Sequence, residues 1–160
     1  METVFGAVLM PRAAMAVVTA LVTALGVLLH YEGLTLLSRG LRRLPGRPRP
    51  RILVLILALL VMHSIEIWLY GAAYYASVHW AGLGEILGLH PDVSARGLLD
   101  FVYFSAVVYT TVGFGEIVPE GPIRALVGAE AITGLTLITW SASYTYLEMQ
   151  QFWREGDRWL

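Results

Sequence analysis

The 160-residue chain contains no cysteine and no lysine. Without cysteine there is no disulfide framework, no thiolate nucleophile and no thiolate metal site. Charge is scarce too: 14% of the residues are charged, against about 25% in a soluble globular domain. Apolar residues make up 57%, and the mean hydropathy is +0.65. Such a chain cannot cover itself with polar surface in water, so it reads as a membrane protein and not as a disordered one. A net charge of -1 gives a nucleic acid nothing to hold. With no lysine, all eleven basic residues are arginine, and their placement sets the topology.

Three apolar stretches are long enough to cross a bilayer, which takes about 20 residues. They run over 13–37, 52–76 and 123–147. A weak small-residue pattern at Val22-Thr23-Ala24 does not make the first a cleaved signal peptide, because its positive charge follows the apolar run instead of preceding it. The link Ser38–Arg51 carries six arginines and no acid. Short loops this basic stay in the cytoplasm. The N-terminus is therefore expected outside and the second helix is expected to run outward. Pro45, Pro48 and Pro50 separate the first two helices. The loop also offers anionic lipid head groups a contact over Arg39–Arg51.

A fourth apolar run, about 98–118, lies between the second and third spans. Its uninterrupted part, 101–114, is 14 residues long, which suits a re-entrant segment better than a span. A segment that dips in and returns also leaves Arg154 and Arg158, near the C-terminus, in the cytoplasm. The run ends Thr110-Thr111-Val112-Gly113-Phe114-Gly115-Glu116. Non-helical backbone at membrane depth is tolerated only where protein buries it or where it lines water. Two glycines alternating with Val and Phe allow successive residues opposite-handed conformations. Their carbonyls can then point toward one axis, and four such strands would ring a cation with oxygens. One chain cannot close that ring, so the pattern requires a tetramer.

These residues resemble the pore domain of potassium channels, whose filter reads Thr-Val-Gly-Tyr/Phe-Gly between an outer and an inner helix. TTVGFG at 110–115, the apolar and aromatic run LLDFVYFSAVVY at 98–109 and a third span with a central glycine, Gly134, carry the resemblance. It covers roughly 52–150. The resemblance implies an all-α membrane protein: outer helix 52–76, pore helix 98–110, filter 111–115 and inner helix 123–147, with a short cytoplasmic tail at 151–160. Segment 1–51, the first helix and the Arg loop, would be peripheral. It implies passive, potassium-selective conduction by a homotetramer in the plasma membrane, with permeant K+ and no cofactor. The ion sites would be Thr111, Val112, Gly113 and Phe114, with Gly115 closing the outer end.

Other positions take their expected roles from the same resemblance. Phe104 and Val108 stand where members place hydrogen-bond partners for the filter tyrosine, so the cuff around Phe114 becomes apolar. Val107 replaces a glutamate that some members have. Glu116 follows the filter, and Tyr103 is expected to hold it. The inner helix would line the cavity through Leu135, Ile138, Ala142 and Tyr146. Gly134 is either a hinge or a point of close helix contact. No helix bears an arginine at every third position, so no voltage sensor of the usual kind is present.

Glu66 and Glu130 are counted to similar depths, about 8 Å and about 12 Å below the outer edge of the hydrocarbon. They are expected to form one polar cluster behind the filter, with at least one acid protonated and with Ser105, Tyr109 or Thr110 as partners. His63 is a further partner. The cluster either senses pH or simply joins helices. His63 and Glu66 share a helix face but are two metal ligands where three or four are needed. His30 and Glu32 read as interfacial anchors, His30 alternatively as a pH sensor. Trp68, Tyr70, Tyr74, Tyr75 and Trp80 read as an aromatic belt, as do Trp153 and Trp159 at the inner side. A poorly selective monovalent cation channel and a non-conducting membrane protein, including an intramembrane enzyme using His63 and Glu66, are the competing readings. The first fits the complete TVGFG poorly, and the second leaves the two-glycine segment without a purpose.

Overall fold

In a computed structural model, the structure describes residues 2–43, 48–89 and 97–156. Residues 44–47 of the Arg-rich link and the tail beyond Gly156 lie outside the described residues, as do the side chains of Trp153 and Arg154. The architecture is all-α apart from one short ribbon. Helices α1 (Glu2–Arg43), α2 (Pro48–His79) and α4 (Arg124–Gly156) are each long and apolar enough to span a membrane. Helix α3 (Leu98–Tyr109) is the short one. All three long helices exceed their apolar runs. At about 1.5 Å per residue, the 42 residues of α1 reach about 63 Å, twice the hydrocarbon thickness, so its ends project beyond it. No proline interrupts the polar stretch before Pro45, which is why the helix continues to Arg43. Helix α2 opens on Pro48 and Pro50, whose missing N–H groups cost nothing in a first turn.

Packing fixes the direction of α1. Met15, Val18 and Val22 join a buried cluster with Ile86, Phe101, Ile123 and Leu126. Leu34 and Leu41 instead pack with Leu55 and Leu59 near the start of α2, and with Tyr144 on α4. Helix α1 therefore lies against both α2 and α4, antiparallel to α2 and parallel to α4.

The ribbon is the element that periodicity does not predict. Strands β1 (Glu85–Leu87) and β2 (Val118–Glu120) pair antiparallel, with Ile86 opposite Pro119. The Ile123 amide donates to the Leu83 carbonyl at 3.0 Å. Gly88 closes β1 with φ +83, and a Cβ there would collide with the backbone of Glu116. The ribbon thus ties the α2–α3 connection to the segment that follows residue 115. Three-residue strands are too short to show a period-2 pattern, and only the bracketing glycines Gly82, Gly84 and Gly88 mark them.

Two of the expected belt aromatics are not at an interface. Tyr70 and Tyr74 are fully buried, because their hydroxyls have partners inside the protein: Thr23 for Tyr70 and Glu130 for Tyr74. Trp68 and Trp80 are exposed, as a belt requires.

Helices α2 and α3 approach closely at Gly71, where a Cβ would sit 2.8 Å from Val102 Cα. Gly40 has no neighbour within 4 Å. Gly71→Ala is expected to destabilise the fold by about 1–3 kcal/mol through overpacking, whereas Gly40→Ala should be neutral or stabilising by up to about 1 kcal/mol. Thermal midpoints of the two variants in detergent, followed by circular dichroism, check the contrast.

Candidate functional site

The site begins where α3 ends. Thr110 caps the helix, its N–H bonding the Ala106 carbonyl at 3.1 Å. The chain then folds back on the helix end: the Val107 carbonyl accepts from the amides of Val112 at 3.1 Å and Gly113 at 3.4 Å. From there the backbone alternates. Thr111, Gly113 and Gly115 have φ of 59°, 52° and 90°, while Val112 and Phe114 stay on the ordinary side. This handedness pattern is the one that lets consecutive carbonyls share a side. Thr111 adopts it without being glycine, a conformation that costs on the order of 1–3 kcal/mol and persists where the surroundings enforce it.

In the single chain, residues 111–116 are all exposed. Val112 is 54% and Phe114 63% accessible, and the Thr111 side chain makes no hydrogen bond among the described residues. Behind the segment lies a cavity of about 100 Å³ lined by Phe104, Val107, Val108, Phe114, Ile117 and Val127 among others. These six side chains bring no hydroxyl to the filter. Phe104 is buried and meets Tyr74 edge-on, ring centroids 5.1 Å apart. Tyr103 and Glu116 are both exposed and make no hydrogen bond to each other within the chain, so the expected pairing is not formed there.

The two buried acids divide into two clusters instead of sharing one. Glu66 has no exposed surface. One carboxylate oxygen faces His30 Nδ1 at 2.8 Å; the other faces His63 Nδ1 at 3.0 Å and accepts from the Tyr109 hydroxyl. His63 Nδ1 also lies 2.9 Å from that hydroxyl. Glu130, equally buried, accepts from the hydroxyl of Tyr74 on α2, and its other oxygen lies 2.5 Å from Ser105 Oγ. Thr110 takes no part; its hydroxyl bonds the Ala106 carbonyl. Each acid therefore grips α3 at a different place: Glu130 one turn before its end and Glu66 at its last residue. The anchor reading of His30 is overturned, since it is fully buried, with Ser141 Oγ at 3.3 Å from its Nε2.

Helix α4 presents one exposed face carrying Ile132, Leu135, Thr136, Thr139, Ala142, Ser143 and Tyr146. Of the expected cavity-lining residues, Leu135, Ala142 and Tyr146 stand on it, but Ile138 is turned against the buried cluster. A spacing of three to four residues allowed either Ile138 or Thr139 between Leu135 and Ala142, and the structure puts Thr139 on the exposed face. Thr136, Thr139 and Ser143 return their hydroxyls to carbonyls four residues earlier. Gly134 lies on the other side, where a Cβ would collide with the Tyr109 carbonyl and sit 3.0 Å from Tyr109 Cα. Its role here is close contact with the end of α3, and α4 continues through it without interruption.

Sequence reasoning missed three participants. His30 was legible as an ionisable group inside an apolar helical run, a position that favours a functional partner. Tyr74 was hidden among interfacial aromatics. Thr139 differed from Ile138 by one position in the period.

A family model described as "Ion channel" matches residues 51–151, well over half of the chain. A voltage-gated potassium channel from Aeropyrum pernix is 36% identical over 50 residues, covering 31% of this chain and 17% of that protein. The matched region is thus about one sixth of that relative's length. No solved structure matches.

Gly134→Ala separates contact from hinge. The added methyl must displace the backbone of Tyr109, so a loss of about 1–3 kcal/mol is expected. The thermal midpoint in detergent checks it; an unchanged midpoint would mean that close contact is not what the glycine supplies.

Proposed function

The chain belongs to the ion-channel family, and on that premise we propose that it conducts potassium selectively through a pore built by four copies. The observation carrying this reading is the alternating left-handed backbone at Thr111, Gly113 and Gly115 on a segment exposed along its length. Carbonyls of Thr111, Val112, Gly113 and Phe114, with the Thr111 hydroxyl, replace the hydration shell of the ion, and Gly115 closes the outer end. The printed name of the relative as a potassium channel supports the choice of ion.

The remaining features fit one mechanism. A cation entering from the cytoplasm meets the exposed face of α4, where Thr136, Thr139 and Ser143 give a polar line among apolar residues. It then exchanges water for filter carbonyls, and Phe114 is wedged by a neighbouring copy against the apolar cuff. The N-terminus lies outside and the C-terminus inside, as the Arg-rich link implies.

The acids hold α3 so that the filter keeps its backbone. Ser105 has one hydroxyl proton and two acceptors within reach, the Ile67 carbonyl at 2.9 Å and Glu130 at 2.5 Å. A carbonyl has no proton to give. Ser105 therefore donates to Ile67 while Glu130 donates to Ser105, and Glu130 acts as the neutral acid. Glutamine preserves that pattern and leucine destroys it. Glu130→Gln should keep near-wild-type stability and conductance. Glu130→Leu leaves the Tyr74 hydroxyl unpaired and should cost about 1–3 kcal/mol, read as a lowered thermal midpoint and a smaller fraction of active channels.

Single-channel recording from purified protein in bilayers, with opposed potassium and sodium gradients, tests the reading. Reversal near the potassium equilibrium potential is expected. In Gly113→Ala, where a side chain disfavours φ near +52°, selectivity should be lost. Reversal midway between the two ions in the wild type, or an unchanged reversal potential in the variant, contradicts the proposal.

A further inference from the structure

The polar groups around Glu66 come from every helix. His30 arrives from α1, His63 and Glu66 from α2, Tyr109 from the end of α3, and Ser141 and Trp140 from α4. Three of them, His30, His63 and Glu66, place one ligand atom each within 4.8 Å of one another. We infer that this cluster is a binding site for a divalent first-row transition metal of the zinc class, with His30 Nδ1, His63 Nδ1, a Glu66 carboxylate oxygen and the Tyr109 phenolic oxygen as donors.

Four observations support it. The donor set, two imidazole nitrogens and two oxygens, is the kind that selects zinc, cobalt or nickel over magnesium and calcium, which prefer all-oxygen shells. The spacing is near that of a coordination shell. His30 Nδ1 lies 2.8 Å from one Glu66 oxygen, and the other Glu66 oxygen lies 3.0 Å from His63 Nδ1, which is itself 2.9 Å from the Tyr109 hydroxyl. In a tetrahedron with metal–ligand bonds of about 2.0–2.1 Å the edges are about 3.3 Å, so the donor atoms of His30, His63 and Glu66, which all lie within 4.8 Å of one another, can converge on one ion by side-chain adjustment.

The third observation concerns the outer sphere. Metal-ligating histidines are generally held through their second ring nitrogen. Ser141 stands 3.3 Å from His30 Nε2. It is also the hydroxyl of α4 that forgoes the return bond to its own helix made by Thr133, Thr136, Thr139, Ser143 and Thr145. When a metal replaces the proton that His30 Nδ1 shares with Glu66, Nε2–H can donate to Ser141 and hold the ring in place.

The fourth is charge. The Glu66 carboxylate offers an anionic oxygen to a divalent ion, and the Tyr109 hydroxyl offers a neutral one. His63, 16% exposed, offers the way in. Bound metal would clamp α1 to the residue that precedes Thr110 and the filter.

Metal binding itself is the readout, independent of conduction. The full-length protein, purified in detergent with any tag removed and stripped with EDTA, is titrated with Co2+. The visible d–d band is expected to saturate at one ion per chain, to disappear when Zn2+ is added and to ignore Mg2+. Zn2+ should also raise the thermal midpoint of the stripped protein. His30→Ala and His63→Ala should each abolish the saturable band, Ser141→Ala should weaken binding about 10-fold, and His79→Ala, outside the cluster, should leave it intact. A folded wild type with no saturable band and no thermal shift, or a band that survives both His30→Ala and His63→Ala, overturns the proposal and leaves a hydrogen-bond network only.

Discussion

Everything in this molecule follows from placing a stretch of irregular backbone at membrane depth. Hydrocarbon offers carbonyls and amides no partners, so such a stretch must be enclosed by protein or must line water. Residues 110–116 meet half of that demand within one chain. Val107 accepts from two of the amides, and the apolar side chains of Phe104, Val107 and Val108 line a small cavity at the rear. The front is left exposed. In the proposed assembly the remaining enclosure comes from other copies and from water and ions along an axis.

The same constraint explains the unusual polar content of the helices. Helix α3, of 12 residues, is too short to hold its own position by burial alone. It is fixed at three points on one side: Ser105 by Glu130, Tyr109 by Glu66, and the Tyr109 backbone by the missing side chain of Gly134. Each acid sits in a fully buried place that would be costly without such partners. Helix α1, packed against α2 and α4 through its apolar residues, supplies His30 to the second of these points. The β1–β2 ribbon fixes the other end of the filter segment.

Much of this was legible in the sequence. The three spans, the short pore helix and the break after Tyr109 come from apolar run lengths and from two alternating glycines. The depth count put Glu66 and Glu130 beside α3 and named Ser105 and Tyr109 as partners. What the sequence could not show was pairing across helices. Separation along the axis can be counted, but rotation about it cannot, so one polar cluster was expected where two exist. For the same reason Ile138 was placed on the cavity face in place of Thr139. Tyr74 and His30 were misassigned because an aromatic or a histidine near a helix end looks alike whether it faces lipid or a buried carboxylate. The ribbon was hidden because three-residue strands carry no periodic signal.

The central claim is that the exposed filter segment and the exposed face of α4 are completed by four copies around one axis. Native mass spectrometry of the purified full-length protein, released gently from detergent, measures this directly. The account predicts a dominant species at four times the chain mass of 17.6 kDa. A dominant monomer or dimer from preparations that retain their helical content would contradict it.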